Sequence, residues 1–137
     1  MVDGAPVSWH ASKQLLIATS SNEAEFIALS TAGKEALWLS SLLRQLQPPH
    51  LPGTSDIPSP ITLFTDNLGA KRLIETGVIT QRTKHIDIRY CWLHEYVRDG
   101  YMNLGFIGAL EMLADICTKP LGVQRHNFLL SSIGLSP

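Results

Sequence analysis

The chain has 137 residues, which fits one domain long enough to bury a core. Its 11 Lys and Arg against 12 Asp and Glu leave a formal net charge of −1, which excludes a strongly basic nucleic-acid-coating protein. That balance still admits a nucleic-acid enzyme whose clustered carboxylates offset basic residues elsewhere. Charged residues are only 17% and mean hydropathy is +0.08, which fits either a covered face or the apolar end of the ordinary range.

Cys91 and Cys117 lack C-x-x-C spacing and do not read as a zinc site. They fit a disulfide or, better, two buried thiols in a reducing compartment. MVDGAPVSW has neither the basic stretch nor the apolar run of a signal peptide, and no apolar run reaches membrane-spanning length. A soluble intracellular protein without membrane contact is expected.

In chain order, APVSW and QLLIAT read as strands around the polar turn HASK. A long helix follows, with Ser20 as N-cap and Ser20-x-x-Glu23 as a capping box. Leu29, Ala32, Ala36, Leu39, Leu43 and Leu46 step at helical spacing and predict one buried stripe. Glu25, four residues before Leu29, extends that stripe and places a carboxylate on the face that meets the sheet. PPHLPGTSDIPSP holds five of the eight prolines and predicts a loop within the domain. ITLFT is a strand with apolar side chains on both faces, as in the centre of an α/β sheet. Asp66 stands at its C-terminal end, where such folds gather their chemistry. A short helix from about Leu68 to Glu75 comes next.

Arg82, Lys84, His85 and Arg89 form a basic cluster leading into a helix carried by Ile86, Tyr90, Leu93 and Val97 and ended by Asp99-Gly100. MNLGFI is the last strand, EMLADICTK a helix stopped by Pro120, and QRHNFLLSSIGL a covering helix stopped by Gly134. Trp9, Trp38 and Trp92 are expected in the core. Strand, helix, strand, helix, helix, strand, helix is an α/β layout with helices on a mixed sheet.

SSNEAEFIALSTAGKEALWL, LFTDNLGAKRL, RTKHIDIRY and LADICTKPL, in this order and spacing, resemble the ribonuclease H domain of copia-type retrotransposon polyproteins. The resemblance runs from about Ala5 to Leu135. It implies a ribonuclease H-like three-layer fold over residues 1–137, a mixed sheet flanked by helices. It also implies metal-dependent cleavage of the RNA strand of RNA–DNA hybrids during reverse transcription. Glu25, Asp66 and Asp115 fall on the family's catalytic and metal-binding positions. The implied cofactor is Mg²⁺ (or Mn²⁺), two ions in the complete family site. The implied partners are the hybrid and the upstream reverse transcriptase region, and the implied location is the cytoplasm, in virus-like particles, or the nucleus.

The family places two strands before the equivalent of APVSW, the first bearing the leading catalytic aspartate. This chain begins in the turn before the third, where Asp3 reads as an ordinary turn residue. The expectation is an N-terminally incomplete domain lacking the first two strands, inactive as an isolated chain. A non-catalytic remnant that binds nucleic acid or protein is the alternative. Loss of strand neighbours also predicts self-association through an exposed sheet edge. At Gly108-Ala109-Leu110 the family has a Ser/Thr-containing capping segment; Ala109 cannot cap, at a cost of about 1 kcal/mol.

The chemistry explains the residue types. Two Mg²⁺ ions about 3.5–4 Å apart can clamp the attacking and leaving oxygens of a phosphodiester. They take hard oxygen ligands, which Asp and Glu supply. Taken alone, Glu25 fits a first-turn acid complementing the helix dipole, Asp66 a helix cap, and Asp115 a surface acid. Arg82, Lys84, His85 and Arg89 fit either phosphate contacts or a solvated helix entry, with Lys71 and Arg72 equally ambiguous.

Overall fold

The computed structural model describes residues 5–14, 18, 20–46, 60–77 and 88–135, the side chains of 88–90 excepted. Its elements are α1 (Ser21–Leu46), β1 (Ile61–Thr65), α2 (Leu68–Thr76), α3 (Ile88–Arg98), β2 (Met102–Phe106), α4 (Asp115–Thr118) and α5 (Val123–Ser132). They fall into two compact units, one of Ile17–Ile107 and the other of Met1–Leu16 with Gly108–Pro137. Among the described residues no helix is long and apolar enough to cross a membrane.

In the unit Ile17–Ile107, β1 and β2 pair in parallel, from Ile61 opposite Met102 to Thr65 opposite Phe106. Parallel neighbours need a long crossover, and α2 and α3 provide it. Phe26, Leu29, Leu63, Ala70, Ile74, Leu93 and Met102 bury together as the core. The result is an α/β structure with helices on a small parallel sheet. The strands ITLFT and MNLGF form where the sequence places them, and Gly100 and Gly134, both at φ 78, follow the ends of α3 and α5.

Helix α1 buries a face rotated from the predicted stripe and shares with it the buried Leu29 and the half-buried Ala36 and Leu39. Ala32 is exposed, as are Leu43 (38%) and Leu46 (71%), whereas Glu23, Phe26, Ile27, Ser30 and Gly33 are buried beside Leu29. Two physical reasons account for this. Small residues allow the closest approach: Trp92 of α3 donates its indole N–H to Ser30 Oγ at 2.8 Å, and a Cβ at Gly33 would lie 3.1 Å from the Trp92 ring. Length does the rest, since 26 helical residues span about 39 Å and five-residue strands only about 17 Å. The last turns of α1 overhang the sheet.

Strand β1 is buried on one face rather than two. Leu63 and Thr65 are buried, whereas Phe64 on the other face is 58% exposed and lies across Gly105. Of the three tryptophans only Trp92 packs against the core; Trp9 (74%) and Trp38 (57%) are exposed. APVSW is not a regular strand. Ala5 makes a single bridge and 6–14 have no regular structure, consistent with Pro6 lacking a donor and with Val7 and Trp9 both facing solvent. Residues 15–17 and 19 of QLLIAT, and the proline-rich stretch up to Ser59, lie outside the described residues. No disulfide joins the cysteines, and Cys117 is exposed rather than buried.

Candidate functional site

Asp66 is set by a short chain of local bonds. Thr65, 2% exposed at the end of β1, accepts the Asn67 N–H on its hydroxyl at 3.1 Å. Asn67 caps α2, its side-chain oxygen accepting the Ala70 N–H at 2.9 Å. The capping role open to Asp66 in the sequence therefore belongs to its neighbour. Asp66 stands half-buried at the strand-to-helix junction, between an anchored strand end and an anchored helix start.

Glu25 lies in the second turn of α1, in the same unit. Ser20 Oγ accepts the Glu23 N–H at 3.2 Å, half of the predicted capping box. Positions 23, 26, 27, 30 and 33 share the buried face, so Glu23 (8% exposed) is the deeply placed acid and Glu25 is half-buried at its flank. Near this end α1 meets the start of α2. A Cβ at Gly69 would fall 2.6 Å from the Asn22 side-chain amide, so the glycine allows the first turns of the two helices to approach. Asn22 and Gly69 thus bring the first turn of α1 close to the first turn of α2.

Asp115 belongs to the other unit, at the start of α4. EMLADICTK is not one helix there: Glu111 is exposed in a turn and only Asp115–Thr118 are helical. The N–H groups of Asp115, Ile116 and Cys117 bond three residues back, and no side chain caps the helix. Asp115 is 6% exposed and each carboxylate oxygen faces a cation. Lys119 Nζ lies 2.8 Å from Oδ1, and Arg125 Nη2 donates to Oδ2 at 3.3 Å. Arg125 also donates to the carbonyl oxygens of Leu110 (2.7 Å) and Ala109. Sequence reading passed over Arg125 because it meets Asp115 from ten residues away, without local spacing to mark the pair.

Of the basic cluster, Arg82, Lys84 and His85 lie outside the described residues; Arg89 is in the first turn of α3, its side chain likewise outside them. Lys71 pairs with Glu75 one turn along α2, and Arg72 is exposed. Glu25 and Asp66 are hard oxygen donors of the kind Mg²⁺ takes. Asp115, with both oxygens turned to cations, does not fit that role as it stands. Within neither unit do the described residues gather three His, Cys, Asp or Glu groups able to hold a metal ion.

The chain is 31% identical over 131 residues to the retrovirus-related Pol polyprotein from transposon RE1 of Arabidopsis thaliana, covering 96% of this chain and 8% of that protein. It is 35% identical over 127 residues to the corresponding polyprotein from transposon TNT 1-94 of Nicotiana tabacum, 93% of this chain and 9% of that protein. These proteins are its homologues. A third, from transposon RE2 of Arabidopsis thaliana, is 32% identical over 124 residues, 90% of this chain and 8% of that protein. The chain thus corresponds to a retrotransposon polyprotein region and spans less than a tenth of the length of these relatives. No family model matches it, and no solved structure matches it significantly.

Proposed function

We propose that this chain is the ribonuclease H segment of a retrotransposon Pol polyprotein, with a ribonuclease H-like fold, cleaving the RNA strand of RNA–DNA hybrids with Mg²⁺ or Mn²⁺. The observation that carries the reading is Asp66 at the carboxyl end of β1, at a junction where Asn67 does the capping. The polyprotein homology supports it. Glu25 and Asp66 would hold the ion; Asp115 is the third acid on a family position. A bound divalent ion supplies relief of charge on the leaving oxygen. The chain's own contribution is placement: Thr65 and Asn67 fix the backbone at Asp66, and Ser20 fixes the start of α1. Arg82, Lys84, His85 and Arg89 would position hybrid phosphates, a sequence-independent and salt-sensitive role.

A second reading, a non-catalytic remnant that binds nucleic acid, is favoured by one observation: the Asp115 carboxylate is already engaged by Lys119 and Arg125. Cleavage of a labelled RNA–DNA hybrid by the folded chain, with Mg²⁺ and then Mn²⁺, separates the two. The enzymatic reading expects metal-dependent cleavage that falls to background in Asp66→Asn. A folded sample that cleaves under neither ion supports the remnant reading of this isolated chain.

A further inference from the structure

We infer that Asp115 is the fixed counter-ion of Arg125, aided by Lys119, forming a latch on the C-terminal segment, and is not a third metal ligand in this chain. The statement about metal rests on the proposed ribonuclease H reading; the latch does not.

Burying a carboxylate, here 6% exposed, is costly unless it is paired. Both oxygens of Asp115 are paired, one with an ammonium at 2.8 Å and one with a guanidinium at 3.3 Å. The Arg125 fork offers five donors in one plane and reaches three acceptors, Asp115 Oδ2 and the carbonyls of Ala109 and Leu110. One side chain of α5 thereby ties down the turn before α4 and the first residue of α4. Beside these bonds the segment has short-range ones, from the Glu111 N–H to the Gly108 carbonyl and from the Asp115, Ile116 and Cys117 N–H groups to carbonyls three residues back. Its helix has four residues and no side-chain cap, far below the length at which a helix persists alone. The Asp115–Lys119 pair spans one turn, acid first, the orientation that suits the helix dipole. An incoming Mg²⁺ would have to displace these cations or settle beside them, with like charges opposing it.

The test is a double-mutant cycle on the full chain, followed by urea unfolding. Asp115→Asn and Arg125→Gln should each raise the unfolding equilibrium constant by about tenfold, with the double variant no worse than either. Fully additive losses overturn the latch. Arg125→Lys keeps the charge without the fork, so Asp115→Asn should cost more in that background than beside Arg125→Gln; it also closes the cycle if Arg125→Gln fails to fold. Calorimetric titration with Mn²⁺ then tests the other half. Asp66→Asn should weaken uptake at least about tenfold, while Asp115→Asn stays within about twofold of the unsubstituted chain. An Asp115→Asn loss equal to that of Asp66→Asn overturns the exclusion of Asp115 from the metal site. Absence of Mn²⁺ uptake by the unsubstituted chain would instead remove the proposed metal site, and the unfolding cycle would still decide the latch.

Discussion

In the unit Ile17–Ile107, seven apolar side chains from α1, β1, α2, α3 and β2 bury one another, with Ala70, Ile74, Leu93 and Met102 at 0% exposure. In the unit of Met1–Leu16 with Gly108–Pro137, Leu129 is the one buried apolar side chain among the described residues, and beside short-range backbone turn bonds its 109–125 stretch carries the ionic bonds of Arg125, Asp115 and Lys119. The two stretches teach different lessons about robustness. Apolar burial is non-directional and scales with area, so it survives small shifts of a helix. A guanidinium shared among a carboxylate and two carbonyls depends on geometry, and one substitution removes all its bonds together.

The largest expected effect sits in the apolar unit. Leu93→Ala should cost about 2–5 kcal/mol, because Leu93 is fully buried among Gly33, Leu63 and Met102 and its removal leaves a cavity. Amide exchange in β1 and β2 should accelerate by the matching factor; unchanged protection would break the claim that apolar packing holds this unit. The latch variants come next in size. Below them, Asn67→Ala should lower stability by about 1 kcal/mol while Asp66→Asn leaves it within about 0.5 kcal/mol, measured by thermal unfolding. Equal losses at both positions would return the capping role to Asp66 and weaken the reading of it as a site residue.

The smallest effect belongs to Arg98 and Asp99 at the opposite end of the sheet from Asp66. The Arg98 guanidinium, 2.8 Å away, holds the Asp99 carboxyl below its usual range. A depressed carboxyl contributes stability above its unfolded value and loses it as pH falls through the folded one. Both side chains are exposed and screened. Asp99→Asn should therefore leave the unfolding midpoint indistinguishable at neutral pH and in acid. A loss at neutral pH that vanishes on acidification would show that charge also counts in the apolar unit.

Much of the fold was legible. ITLFT carries β-branched and apolar side chains between breakers, and LGAKRLIET follows the strand end where the sequence offered Asp66 as a cap, so both elements appear where local propensity puts them. The face of α1 was not legible. Periodicity finds the leucines, but Ser30 and Gly33 are what let Trp92 come close, and that preference exists only once α3 is present. The acids divide in the same way. Asp66 could be placed from its strand end alone, whereas the depth of Glu23 relative to Glu25 follows from which face α1 turns inward.

By itself the sequence determined the α/β order, the strand-end position of Asp66 and the likeness to transposon polyproteins, because these rest on local propensity and on residues read in order. Only the tertiary structure decided which face of α1 is buried, that Asn67 rather than Asp66 is bonded as the cap, and that Asp115 is held by Arg125. Those outcomes depend on partners distant along the chain or on a choice between equally capable neighbours. Contact geometry settles such choices, and spacing does not.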